Sequence, residues 1–328
     1  MQVIALEEVS WPVDTSYADL TLRDHTGARL GDLVDFRVYE MDEYGIDLQV
    51  LSPIKPGMQR RFDTAAAIDD AKRRNDLLAN VIAEHPTRFA GLAALPWQDP
   101  TAAAHELACA VEEFGFVGAL VNGSTHGHYL DEPQYEPVWA ELERLDVPLY
   151  LNPTEVPVWD RWAVLEGYPE LSGPMYRWVA ETGAHALRLV LGGVFDRHPT
   201  AKLILGHMGA LLPFQLARLD SRHECNTHAL KYRPSYYVRN NIFATTSAPL
   251  DIPGLYGAIQ AVGIDNILLS LDYPATAEAA KYLRDLSISL FPADHAKITH
   301  ANAKRILKVA DASCENRVGK GGKDRTAI

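Results

Sequence analysis

Eight short apolar segments, separated by helix-like segments, are the feature that most constrains the fold of this chain. Each is bounded by Gly, Pro, Asn or Asp, which is typical of buried parallel strands. The predicted strands span residues 3–9, 47–53, 89–96, 118–122, 148–153, 202–208, 242–247 and 266–274. Amphipathic helices are predicted over residues 64–85, 101–115, 135–146, 179–193 and 300–310. This alternation predicts right-handed βαβ units and therefore a parallel sheet.

Eight parallel strands in 328 residues favour an α/β fold of the closed kind, the (β/α)8 or TIM barrel. A doubly wound open sheet is the alternative, but no G-x-G-x-x-G loop follows a predicted strand. We expect a single barrel domain over residues 1–310, with insertions near 10–40 and 154–178. Residues 311–328 lose the helical and strand periodicity, which predicts a flexible tail.

Charge and composition argue against several classes of binding partner. The net charge is −12 without a local basic stripe, which argues against nucleic-acid binding. We find neither a run of about 18 apolar residues nor a charged leader before an apolar segment, which argues against a membrane partner. The three cysteines are too few for a disulfide framework or a zinc cluster. These features predict a soluble protein of a reducing compartment, the cytoplasm, and composition indicates nothing further about its activity.

Five of the predicted strands end in a polar side chain. The five residues are Glu7, Asn122, Asn152, His207 and Asp272. In a TIM barrel the carboxyl ends of the strands form the active site, so these side chains are expected at its mouth. A buried carboxylate is costly unless it is paired, so Glu7 and Asp272 are both expected to need partners.

Side-chain alternation predicts which residues of the first strand point the same way. Ala5, Glu7 and Val9 should share one direction, and Leu6 and Glu8 the other. If Glu7 faces the barrel axis, its neighbour toward the mouth is then Val9. A valine can neither bind a metal ion nor transfer a proton.

Collinear motifs extend from residue 3 to about residue 309. They include "ALEE", "RFAGLAALPWQDP", "LDEPQYEPVWAELERLDVPLYL", "LILGHMG" and "LLSLDYP". On these motifs the chain resembles the amidohydrolase superfamily, in the branch of the γ-resorcylate, 2,3-dihydroxybenzoate and 5-carboxyvanillate decarboxylases. The resemblance implies a divalent ion held by a Glu and a His of the first strand, a His of the fifth and an Asp of the eighth. A further His, in "GHMG", stands beside that ion.

The resemblance carries over only in part. Glu7, His207 and Asp272 match the Glu, the "GHMG" His and the final Asp, whereas Val9 and Asn152 stand where two His ligands are expected. Without its nitrogen donors, a tightly bound transition metal is not predicted. The prediction is therefore no cofactor, or at most a weak divalent ion such as Mg²⁺ or Ca²⁺ on the oxygens of Glu7, Asp272, Asn152 and water, with His207 as a further ligand.

Roles follow from these residue types. Crowding of Glu7 and Asp272 should raise the pKa of one of them and make it a general acid. His207 is expected to act on Asp272 either as a proton shuttle or as a cation that keeps the carboxylate ionised. Arg218 matches an Arg that the branch places near the substrate carboxylate, although a surface ion pair is an equally good interpretation. We predict catalytic residues Asp272, His207 and Glu7 and substrate-binding residues Asn152, Asn122 and Arg218.

The resulting hypothesis is a decarboxylase-like lyase that acts on a small aromatic or enolisable carboxylic acid without a tightly bound metal. The alternative is a metal-independent isomerase, hydratase or cyclase of a biosynthetic pathway on the same fold. A hydrolase is a weaker alternative because a metal-activated water would be lost. A pseudoenzyme is weaker because the three acid–base residues are all retained. A homodimer or homotetramer is expected, as is common in the branch.

Overall fold

A computed structural model describes residues 2–10, 32, 34–53, 57–154, 162–223, 230–247, 250–273 and 277–309. The predicted tail lies outside the described residues, and so do most of the insertion near 10–40 and residues 155–161 of the second insertion. The single-domain boundary at residue 310 therefore stays a prediction.

The described residues form nine parallel strands in two sheets, with the orders β1-β2-β3 and β4-β5-β6-β7-β8-β9. The strands are β1 Ile4–Ser10, β2 Leu48–Pro53, β3 Phe89–Gly91, β4 Ala93–Ala94, β5 Ala119–Asn122, β6 Pro148–Asn152, β7 Lys202–Leu205, β8 Ile242–Thr245 and β9 Ile267–Leu268. β3 and β4 are two halves of one predicted strand that pass from one sheet to the other. A parallel bridge between Leu6 and Ser270 joins the outermost strands. The predicted (β/α)8 barrel is confirmed.

Helices surround the barrel strands; the five that the sequence predicts begin within two residues of the expected positions, and the others were not predicted. They are α1 Asp35–Tyr44, α2 Thr64–Glu84, α3 Pro100–Glu112, α4 Glu136–Leu145, α5 Arg177–Leu191, α6 Val194–Arg197, α7 Leu216–His223, α8 Pro234–Asn241, α9 Ile252–Val262, α10 Ala277–Ser289, α11 Pro292–Ala296 and α12 Asn302–Leu307. Aspartates cap several of them; Asp63, for example, accepts a hydrogen bond from Ala66 N at 2.8 Å. No helix within the described ranges is both long and apolar enough to cross a membrane.

The barrel interior is apolar along most of its length. Every strand except the short β4 contributes to it, and α12 adds three side chains. The members are Ile4, Leu6, Leu48, Val50, Ala90, Leu92, Val117, Leu120, Tyr150, Ile204, Phe243, Leu268, Ala303, Ile306 and Leu307. The interior is thus a packed core, and chemistry can take place only at the mouth, where the strands end.

A bulge in β1 changes the direction of its side chains. The register with β2 shifts between Ala5 and Glu8, and Glu7 has a φ of 60°, in the left-handed region. Leu6 and Glu7 therefore both face the interior, whereas Ala5 packs in the outer core. The predicted shared direction of Ala5 and Glu7 is wrong, because strict alternation does not continue through an extra residue.

Candidate active site

A layer of four polar side chains lies directly above the apolar interior. Glu7, at its centre, is only 2% exposed. Tyr150 Oη donates a hydrogen bond to Glu7 Oε2, and Thr245 Oγ1 and Ser270 Oγ lie 3.4 and 3.5 Å from the same oxygen. We call these four residues the polar layer. They supply the partners that a buried carboxylate needs.

Two local features make the polar layer possible. Burial, followed by the charge of Glu7, raises the pKa of Tyr150 well above its ordinary value of 10.0, so the phenol stays protonated and donates. Gly206 follows β7, and a Cβ added there would lie 3.3 Å from both Glu7 carboxylate oxygens and 3.1 Å from Tyr150 Oη. The absent side chain therefore leaves room for the Tyr150–Glu7 contact.

Tyr150→Phe is expected to lower the free energy of unfolding by about 1–3 kcal/mol, because Glu7 would lose its best donor while remaining buried. Urea unfolding measures this change. Ser270→Ala is the matched control, since it removes a 3.5 Å contact to the same oxygen and should cost less. An equal cost for the two variants would contradict the assignment of Tyr150 as the main partner of Glu7.

His207 lies in a left-handed turn and not, as predicted, on a strand. β7 ends at Leu205, and residues 207–211 all have positive φ, a conformation that disfavours non-glycine residues. His207 N donates to Ser247 Oγ at 2.9 Å, while His207 Nδ1 is buried and has no hydrogen-bond partner among the described residues. Such strain is typical of functional sites, where the surroundings hold the backbone in place.

Gly183 of α5 holds the left-handed turn against the barrel. A Cβ at this position would lie 2.3 Å from Ala210 O. Gly183→Ala is therefore expected to displace the turn, with a loss of about 1–3 kcal/mol in the free energy of unfolding and a lower catalytic rate. Gly173→Ala, where an added Cβ meets nothing within 4 Å, is the control. Wild-type stability and rate in Gly183→Ala would show that the turn tolerates displacement.

The other predicted site residues differ in their surroundings. Asp272 has a φ of 57° and, unlike Glu7, is exposed. Asn122 and Asn152 are buried, face each other in register on β5 and β6, and are joined by a 3.3 Å bond from Asn152 Nδ2 to Asn122 Oδ1. Arg218 does not join them, because it is exposed on α7 and lines an outer groove between α5 and α7. Its substrate-binding role stays a prediction.

Glu8 was missed by the sequence reasoning. Its carboxyl group is fully buried, and burial raises its pKa from 4.5 to about 8, against the opposing effects of the Leu271 N–H and Arg37. Leu271 N donates to Glu8 Oε1 at 3.2 Å. The sequence analysis considered only Glu7 and Asp272 as candidates for a carboxyl group with a raised pKa. The doubled Glu of "ALEE" was the available signal.

Glu8 should make the stability of the protein depend on pH. Because its pKa is raised on folding, the folded protein binds more protons than the unfolded chain between pH 4.5 and about 8, and stability falls as the pH rises through this window. Glu8→Gln removes this titration, and a pKa difference of one corresponds to about 1.4 kcal/mol. The free energy of unfolding of the variant minus that of wild type should therefore rise by a few kcal/mol between pH 5 and pH 9, as measured by urea unfolding. A pH-independent difference would contradict the buried titration.

Comparison with known proteins gives a consistent result. The chain matches the amidohydrolase family over residues 16–309. It is 41% identical over 304 residues to the γ-resorcylate decarboxylase of Rhodococcus jostii strain RHA1, covering 88% of this chain and 92% of that protein. A dihydroxybenzoic acid decarboxylase from Polaromonas sp. JS666 has a TM-score of 0.87 at 38% identity, covering 94% of this chain and 97% of that chain.

A third relative is a 5-carboxyvanillate decarboxylase from Novosphingobium aromaticivorans DSM 12444. Its TM-score is 0.86 at 29% identity, covering 94% of this chain and 96% of that chain. All three relatives carry decarboxylase names, which confirms the prediction of a decarboxylase-like carbon–carbon lyase.

The prediction that no metal cofactor is needed is wrong. The Polaromonas and Novosphingobium structures both contain bound manganese. The prediction gave too much weight to the two missing His donors. Carboxylate, carbonyl and water oxygens are suitable ligands for manganese, and the chain keeps such oxygen donors at the mouth.

The residues at the mouth fit a divalent ion in their donor chemistry. Glu7 and Asp272 supply carboxylates, and Asn152 uses its Nδ2 toward Asn122, which leaves its amide oxygen for another partner. The buried Nδ1 of His207 lacks a hydrogen-bond partner within the described chain. Across the same residues, no three His, Cys, Asp or Glu side chains are gathered around one point. The donor set is suitable but not preassembled.

The barrel fold, the acid–base residues at its mouth and the three comparisons all indicate the same protein family. The motifs noted in the sequence fall on the same strands and loops that build the polar layer and the left-handed turn. This chain belongs to the amidohydrolase family, in its decarboxylase branch.

Proposed function

We propose that this protein decarboxylates a hydroxylated benzoic acid with the help of a divalent ion, manganese being the best candidate. The observation that carries the proposal is the retention of Glu7, in the bulge of β1, together with His207 and Asp272, which follow the carboxyl ends of β7 and β9. Relatives that act on γ-resorcylate and 5-carboxyvanillate support the choice of substrate class.

The proposed ligands of the ion are Glu7 and Asp272, with His207 and the amide oxygen of Asn152 beside them. When bound, the ion would neutralise the carboxylate and the neighbouring phenolate of the substrate. The hydrogen bond from Tyr150 Oη fixes the position of the Glu7 carboxylate in the barrel. This contact would keep one ligand in place while substrate enters.

The proton balance of the reaction assigns the remaining role to Asp272. Loss of CO₂ breaks the bond between the ring carbon and the carboxylate carbon, and the electron pair stays on the ring carbon, which must receive a proton. A carboxyl group at the mouth can supply that proton. Because Asp272 is exposed, solvent can return a proton to it after each turnover. The buried amides of Asn122 and Asn152 would orient the substrate by hydrogen bonds.

The test is CO₂ release from a panel of 2,6-dihydroxybenzoate, 2,3-dihydroxybenzoate, 5-carboxyvanillate and unsubstituted benzoate. Release from at least one hydroxylated acid, with deuterium from D₂O entering the ring carbon, is the expected result. Benzoate is the negative control, since it has no hydroxyl group beside the carboxylate. Isomerised, hydrated or cyclised products without CO₂ would contradict the proposal.

A homodimer or homotetramer and a cytoplasmic location also remain part of the proposal. The outer groove between α5 and α7 and the exposed Leu211 and Phe214 near it are surfaces that a second copy could cover. Light scattering on the purified protein measures the number of subunits.

A further inference from the structure

Helix α1 buries its charged side. Arg37 is fully buried and Glu40 is 6% exposed, whereas Phe36 and Tyr39 on the same helix are 41% and 62% exposed. An amphipathic helix normally turns its apolar side toward the core. Buried charges are tolerated only with good partners, so the contacts of Arg37 explain this orientation.

Arg37 joins two segments of the barrel mouth. Its Nη2 donates to Val9 O at 2.7 Å, and its Nη1 donates to Gln49 Oε1 at 3.2 Å. Its guanidinium lies 3.7 Å from the centre of the Tyr273 ring, and Tyr273 Oη donates to Glu40 Oε2 at 3.0 Å. One side chain thus contacts both the end of β1 and the segment that follows β9.

Glu8 completes the connection. Gln49 Nε2 donates to Glu8 Oε2 at 3.4 Å, and Glu8 Oε1 accepts the N–H of Leu271. Glu8 directly follows Glu7 in the chain, and Leu271 directly precedes Asp272. We refer to Arg37, Gln49, Glu8, Tyr273 and Glu40 as the Arg37 network. It lies behind β1, on the side away from the barrel axis.

The two residues that carry the carboxylates at the mouth have backbone conformations that need such support. Glu7 and Asp272 have φ values of 60° and 57°, in a region that non-glycine residues seldom occupy. A residue stays in this region only when its surroundings hold it there. Arg37 and Glu8 both contact residues that lie one or two positions along the chain from Glu7 or from Asp272.

We infer that Arg37 and Glu8 are positioning residues that fix the separation of the Glu7 and Asp272 carboxylates. The inference rests on the proposed function for the role of those carboxylates as ligands, but not on the identity of the substrate. Residues that support metal ligands from behind typically change metal affinity by 10–100-fold when they are replaced.

The test replaces Arg37 with Met and measures Mn²⁺ binding by electron paramagnetic resonance, together with kcat and KM. Expected are Mn²⁺ binding at least tenfold weaker and a lower kcat at nearly constant KM. Glu8→Met should act in the same direction, and Glu8→Gln, which keeps an acceptor for Leu271 N–H, should retain more binding. Folded Arg37→Met with Mn²⁺ affinity within twofold of wild type would overturn the inference.

Arg88→Met is the matched control. Arg88 also donates to two backbone carbonyls, Asp47 O at 3.1 Å and Ile46 O at 3.2 Å, but these lie where β2 begins, opposite the mouth. The Arg88→Met variant should be less stable than wild type but should bind Mn²⁺ with the same affinity. If Arg37→Met does not fold, Arg37→Lys keeps the charge but cannot bind Val9 O and Gln49 Oε1 together, and the same outcomes apply.

A crystal structure of the variant separates this inference from the proposed function. If wild type itself binds no Mn²⁺, the proposed function fails, and the positions of Glu7 and Asp272 then decide the inference. A shift of about 1 Å or more between the two carboxylates in Arg37→Met, absent in Arg88→Met, supports it. Unchanged positions would overturn it.

Discussion

Asp272→Asn is expected to lower kcat by about a thousandfold while leaving the fold intact. Asp272 is the proposed proton donor, and a positioned general acid contributes about 10²–10⁴-fold to a rate. An asparagine can neither release nor recover a proton. Because Asp272 is exposed, the substitution changes little of the packing, so the urea midpoint should stay close to that of wild type.

Steady-state CO₂ release measures the change in kcat, and urea unfolding measures the change in stability. Asp285→Asn is the control, since Asp285 is also partly exposed and lies 3.8 Å from Lys281, away from the mouth. It should be as active as wild type. An Asp272→Asn variant that keeps more than a tenth of the wild-type kcat would exclude Asp272 as the proton donor.

Glu7→Gln is expected to reduce kcat at least a hundredfold and to weaken Mn²⁺ binding, without a loss of stability. The amide has nearly the shape of the carboxylate, and its oxygen can still accept the hydrogen bond from Tyr150 Oη. The variant also removes a buried negative charge, which is costly to desolvate. Function and stability should therefore change in opposite directions, as is common at active sites.

Glu106→Gln tests whether this behaviour is specific to the mouth. Glu106 is another buried carboxylate, 6% exposed, and accepts a 2.7 Å hydrogen bond from Asn75 Nδ2 in the outer layer. Its replacement should leave both Mn²⁺ affinity and kcat unchanged. Equal effects of the two substitutions on Mn²⁺ binding would argue that Glu7 is not a ligand.

The barrel could be predicted because its signal is repeated along the chain. Eight apolar runs bounded by turn residues allow few other arrangements, and the polar residues at their ends mark the mouth. Tyr150 was also within reach of the sequence. It precedes Asn152 by two residues on β6, so both face the barrel interior, while Leu149 and Leu151 pack in the outer core.

The bulge at Glu7 and the left-handed turn at His207 could not be predicted in the same way. Glutamate seldom adopts positive φ, and histidine, although enriched there, adopts it in a minority of cases, so residue type alone does not predict either conformation. At His207 the conformation is held by tertiary contacts such as those of Gly183 and Ser247. Arg37 gave no signal for a related reason. Its helix exposes aromatic residues and buries charge, which inverts the pattern that sequence reasoning uses.

The error about the metal has a different origin. Each position was compared with the family separately, and the loss of imidazole at Val9 and Asn152 was taken to leave at most a weakly bound ion. A metal site depends on the whole donor set and on the ion. Manganese tolerates oxygen ligands and water, so a set of two carboxylates, an amide and one imidazole is still suitable.

We propose decarboxylation that depends on a divalent ion at Glu7 and Asp272. The most direct test is CO₂ release from 2,6-dihydroxybenzoate before chelation, after removal of metal by a chelator and dialysis, and after addition of Mn²⁺. We expect activity to be lost on chelation and restored by about one equivalent of Mn²⁺ per chain. Full activity of the metal-free protein, or no CO₂ release with Mn²⁺ bound, would contradict the claim.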